Sequence, residues 1–165
     1  KYLHTISDFE RISDHACNVA DVCQEIDEKK IEFSKSASHE LQVLEGAVTE
    51  ILAISIEAFT GGNVQLAARV EPLEEIIDGL CDEMKSHHVD RLQQGLCTLN
   101  QGFVFNDLLT NYERVADHCS NIAVCLLQVK EDSYETHEYL DNLKESENIN
   151  FRGKVLAYAE KYRLP

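Results

Sequence analysis

The stretch "YERVADHCSNIAV", Tyr112–Val124, repeats a pattern written once before, at "FERISDHACNVAD", Phe9–Asp21. Both read Glu-Arg-[Val/Ile]-x-Asp-His-x-x-Asn-[Ile/Val]-Ala. Recurrent apolar spacing is ordinary in helices, but recurrence of Glu, Arg, Asp, His and Asn in step requires a chemical reason. Placed at about 100° per residue, the apolar positions Phe9, Ile12, Ala16 and Val19 form one seam. Tyr112, Val115, Cys119 and Ile122 form its counterpart. Glu10, Asp14 and Asn18 advance by fours on the far side, as do Glu113, Asp117 and Asn121.

The same three-and-four stepping extends outward from both copies. It predicts helices over about 2–30 and from Leu99 to Lys130. Between them, Ser34 and Ser36 offer N-caps for a helix ending near Phe59. "TGGN", Thr60–Asn63, reads as a stop and restart. A further helix covers about Val64–Gln94, with Pro72 imposing a kink or a late start, and Gly95 ends it. Four long helices with short connections predict an all-α, up-down antiparallel bundle over residues 1–130. Residues 131–150 are rich in Asp, Glu, Asn and Ser, with one short helix expected around Tyr134–Leu143. A terminal amphipathic helix is expected to dock on the bundle through Phe151, Val155, Leu156, Ala159 and Tyr162, so 131–165 forms a second, acidic segment.

The 165 residues include only 2 Pro and 7 Gly and carry a formal charge of −15. That charge repels nucleic-acid phosphates and anionic lipid and favours cations. No apolar run reaches the ~18 residues of a membrane span, so no direct membrane insertion is expected. No secretory signal opens the chain, and its first residues already follow a helical pattern, as if it began mid-protein. The 6 cysteines include no CxxC pair and fall within helical patterns. They are expected to be reduced packing residues of a cytoplasmic protein.

Glu74 and Asp78 add a third Glu-x-x-x-Asp pair. Carboxylates at i, i+4 are neighbours that repel, and a divalent cation relieves the repulsion. Against this, a single pair of this kind is usually a solvated face.

With "ERISDHACNVA", "ERVADHCSNIA" and "EEIID", residues 1–130 resemble the PhoU family, built from three-helix repeats. The helices from Ser34 to Lys130 resemble one complete repeat, and the first helix resembles the last of a preceding one. "HHVDRLQQGLCTLNQGFVFNDLLTNYERVADHCSNIAV" is similar to the PhoU-like cytosolic region that ends bacterial sodium/phosphate cotransporters. The resemblance implies a non-enzymatic regulator of phosphate uptake, partnered by the membrane transport domain of a parent protein. Some PhoU proteins bind iron or zinc clusters at Glu/Asp-x-x-x-Asp motifs. By resemblance the metal ligands here are Glu10, Asp14, Glu74, Asp78, Glu113 and Asp117, with His15, His118, Asn18 and Asn121 as auxiliary groups.

Arg11 and Arg114 are expected to pair with carboxylates on neighbouring helices, and His87 and His88 to complement a helix C-terminus. No nucleophile–base constellation or phosphate-binding glycine loop appears, so no catalytic residue is assigned. A metal-free helical adaptor is the alternative. A di-metal oxidase would need Glu-x-x-His in the core, and none of the 7 histidines has Glu three residues before it. Apolar flanks on the first helix, at Leu3 and Val22, predict a homodimer.

Overall fold

The computed structural model describes residues 2–131 and 150–164. Every described element is a helix: α1 Tyr2–Glu28, α2 Lys35–Gly61, α3 Val64–Ala67, α4 Val70–Gln93 and α5 Leu99–Glu131, then α6 over 150–161. The expected segment at Tyr134–Leu143 lies outside the described residues.

Local chemistry sets the boundaries. Ser34 caps α2 by accepting from the Ala37 N–H at 3.2 Å. At the other end Gly62 takes a left-handed φ of 61°, which costs glycine little. Asn63 then caps α3, its side chain accepting from the Gln65 and Leu66 N–H groups at 3.0 and 3.2 Å. The helix expected from Val64 breaks at Ala68–Arg69, and α4 starts late, with Pro72 in its first turn. There the missing N–H has no partner to lose.

α2, α4 and α5 form the core, filled by Leu44, Ile51, Leu73, Ile77, Met84, Phe105 and Leu109, all at most 1% exposed. α4 runs antiparallel to α2, since His87 and Arg91 near its end meet Glu40 near the start of α2. α5 runs parallel to α2, with Phe33 by Phe105 and Glu45 by Tyr112. α1 lies antiparallel on α5 and touches α2 where Phe9 meets Phe59 edge-on, ring centroids 5.3 Å apart. Phe9, Ile12 and Val19 are half-buried as expected, but Ala16 is exposed. With α5 as its one broad neighbour, α1 buries a narrower strip than a helix wedged between two.

α6 packs across α2 and the α3–α4 junction with part of the face expected: Phe151 and Val155 are half-buried and Tyr162 is buried. Leu156 and Ala159 are exposed, whereas Tyr158, Tyr162 and Leu164 are buried. The tyrosines win because each carries a hydroxyl that finds a polar partner. Tyr158 accepts from Arg69 Nε and Nη2 at 3.2 and 3.1 Å, and Tyr162 donates to Glu50. Burial raises the Glu50 pKa, but hydrogen bonds from Lys161 and Tyr162 outweigh that and hold it below the usual carboxylate value.

Candidate metal centre

The repeated residues divide into two structures. The first is a clasp between α1 and α5. His118 Nδ1 and Asn121 Nδ2 both donate to Asp8 Oδ1, at 2.9 and 3.2 Å. His15 Nδ1 and Asn18 Nδ2 both donate to Asn111 Oδ1, also at 2.9 and 3.2 Å. Asp8 and Asn111 stand four residues before Ile12 and Val115, at the same place in each repeat. The two copies therefore hold each other reciprocally, related by a local two-fold axis, and the histidine rings stack there at 5.7 Å. Asn111 Nδ2 donates to the Asp107 carbonyl at 2.8 Å, which fixes its amide with the oxygen toward α1. His15, His118, Asn18 and Asn121 thus stand in a helix–helix contact.

The second structure is acidic. Antiparallel packing brings Glu74 and Asp78 of α4 against Asp117 of α5, with one carboxylate oxygen of each within 4.8 Å of the others. The expected outward direction of the Glu-Asp stripe is thus wrong for Glu113 and Asp117. Their side chains are 34% and 33% exposed and look across the seam at α4. A residue opposite a helix's own apolar seam can still face a neighbour packed on its flank. Glu10 and Asp14 are exposed as expected and stand apart from the cluster. Among the described residues no helix sits on α1 as α4 sits on α5, so that pair has no facing carboxylate.

Crowding shows in the protonation equilibria. Burial first, then the charges of Asp78, Glu71 and Asp117, push Glu74 up to about 7. Burial, Asp117 and Glu113 raise Asp78, with Lys85 opposing. Asp78 Oδ1 is buried without a hydrogen-bond partner. Buried acceptors normally have one, and a cation supplies it for a carboxylate. Three carboxylates with an orphaned oxygen fit one oxygen-ligated divalent ion. Glu113 is engaged by Lys85 at 2.9 Å, and Arg114 pairs with Asp117 on its own helix at 3.1 Å rather than across to another.

Sequence reading missed the best-satisfied ion pair. Glu40, 2% exposed, receives Arg91 Nη1 and Nη2, each at 2.9 Å, and His87 Nδ1 at 2.9 Å. His87 therefore serves a buried carboxylate instead of a helix terminus, and His88 stacks on Phe105 at 5.3 Å. The available signal was Glu40 on the apolar strip of α2, one residue before Leu41 and four before Leu44. Cys81 and Cys119 pack in the core, but Cys17 and Cys23 are exposed on α1 and do not pack as expected.

Comparison with known proteins agrees with this architecture. The PhoU domain model matches residues 41–126. Over 126 residues the chain is 29% identical to the phosphate-specific transport system accessory protein PhoU homolog 1 of Thermotoga maritima, covering 74% of this chain and 53% of that protein. The chain thus spans about half the length of the curated relative it matches. No solved structure gives a significant match. No described helix is long and apolar enough to cross a membrane. With more than half its length matched, the chain belongs to the family of PhoU domains.

Proposed function

We propose that this PhoU domain is a non-enzymatic regulator of phosphate uptake, working on the cytosolic side of a sodium/phosphate cotransporter to whose membrane domain it is joined. The family match over α2–α5 and a relative named for phosphate-specific transport support the phosphate-regulating part of this reading, and the attachment to a cotransporter rests on the sequence resemblance of residues 87–124. Deleting the domain from the parent protein should alter how uptake responds to phosphate supply while leaving transport capacity in place. An unaltered response would refute the reading.

The Glu74–Asp78–Asp117 cluster is the metal site in this proposal, with iron or zinc as the candidate ions. Bound metal would replace mutual carboxylate repulsion with attraction and join α4 to α5. The domain purified without chelator should hold metal that Asp78→Asn with Asp117→Asn removes, at unchanged helical content by circular dichroism. Equal metal in both proteins would leave the metal-free adaptor, which Lys85 on Glu113 and Arg114 on Asp117 favour by already supplying two cations.

The homodimer belongs to the same proposal. Mapping α5 onto α1 through the repeat sets exposed Ile6, Ala16 and Ala20 at the places of Leu109, Cys119 and Ala123, all buried in α5. α1 thus retains a face suited to helix packing, and a second copy would cover it. Val22 is half-buried, whereas the side chain of Leu3 lies outside the described ones. Ala20→Arg should turn a dimer into a monomer in sedimentation equilibrium at micromolar concentration; a wild-type monomer would end the idea.

A further inference from the structure

Down the outer α4–α5 seam from the acidic cluster lies an apolar groove of about 270 Å³, lined by His88, Leu92, Leu99, Gly102, Phe103 and Asn106. Leu99 and Phe103 are 66% and 68% exposed, and Leu96 in the adjoining turn is 64% exposed. Its wall is built to shape. A Cβ on Gly102 would come within 2.6 Å of His88 Nε2, so the glycine lets the imidazole lie against the α5 backbone. Large apolar side chains grouped around a concavity mark an interaction surface.

A second copy, also at −15, would bring like charge to a seam that already holds Glu71, Glu74, Asp78 and Asp117. The complementary occupant carries positive charge beside its apolar residues.

We propose that the α4–α5 seam docks a basic amphipathic helix of another protein, its apolar residues in the Leu99–Phe103 groove and its Lys or Arg side chains at the Glu74–Asp78–Asp117 carboxylates. The distance suits one helix: Phe103 and Asp117 are separated by roughly 20 Å along α5, about four turns. The proposal does not require the carboxylates to hold metal; metal and basic side chains would compete for them.

The test uses the full chain in chelator, so that its outcome is independent of metal binding. The probe is a dye-labelled 18-residue helix of Leu and Lys with its leucines on one face, followed by fluorescence anisotropy. Phe103→Ser, at an exposed position, should weaken binding about tenfold, as loss of an interface anchor does. Asp117→Asn should weaken it by a smaller factor, and a Leu/Glu version of the probe should not bind. Equal binding to wild type and Phe103→Ser would mean general attraction to an acidic surface and would overturn the proposal. So would a wild-type dimer that Phe103→Ser dissociates, which assigns the groove to a second copy. Adsorption to phosphatidylglycerol vesicles that Phe103→Ser abolishes would assign it to a membrane.

Discussion

Glu40 and Glu74 are two half-turns of the same problem, a carboxylate taken partly out of water, solved in opposite ways. Glu40 is surrounded by donors: two guanidinium nitrogens and an imidazole. Arg91→Met should therefore destabilise the domain by about 3 kcal/mol, because it leaves a buried charge short of its main partner. Glu40→Leu with Arg91→Met should recover most of that loss, and urea denaturation of the three proteins measures both. Glu74 is surrounded by other acids. Its folded pKa of about 7 stands above the ordinary 4.5, so the native state holds this proton more tightly than the unfolded chain. The resulting stabilisation is complete below pH 4.5 and is lost as pH rises to about 7. Discounted for the solvent screening of a half-buried group, the loss is about 1 kcal/mol. In chelator, the melting temperature should fall between pH 5 and 8, and Glu74→Gln should flatten that fall. Residue identity was legible here and residue environment was not. The i, i+4 spacing found Glu74 and Asp78, but no spacing within one helix could reveal that Asp117 would face them.

At the scale of elements, apolar stepping and capping chemistry located α1, α2, α4 and α5 to within a few residues, because both are local properties. What each helix meets is not local. α1 packs on α5 more than between two helices, and its polar repeat was read for chemistry when half of it serves pairing. Asp8 and Asn111 each collect two hydrogen bonds from the other helix. Replacing Asn111 by Ala should cost about 1 kcal/mol, since the half-buried His15 and the exposed Asn18 both lose their acceptor. Amide exchange should quicken along α1 while the α2–α4–α5 amides keep their protection; uniform quickening would show that α1 does not open separately. α6 gives the converse lesson. Tyr162 was legible on its docking face, but Tyr158, held by Arg69, joins that face where Leu156 and Ala159 were expected. Tyr162→Phe should loosen α6 with little change in the core, measurable as faster proteolysis within 150–164.

The whole molecule carries its −15 charge on a three-helix core with one helix added on each side. Self-repulsion at that charge opposes compaction and is screened by salt. Raising sodium chloride from about 0.05 to 0.5 M should raise the melting temperature by a few degrees, in wild type and in Asp78→Asn alike. The α1–α5 clasp joins groups 110 residues apart in the chain, Asp8 and His118. α1 is synthesised before its partner, with α2, α3 and α4 made between them. At about 5–20 residues per second, α1 waits some 5–20 s on the ribosome for α5. Contacts so distant in sequence also form late, because loop closure must precede them. During that wait the half-motif on α1 meets its match on any neighbouring chain whose α5 is already made. Order of synthesis, as well as final stability, therefore decides whether a newborn chain closes on itself or on its neighbour.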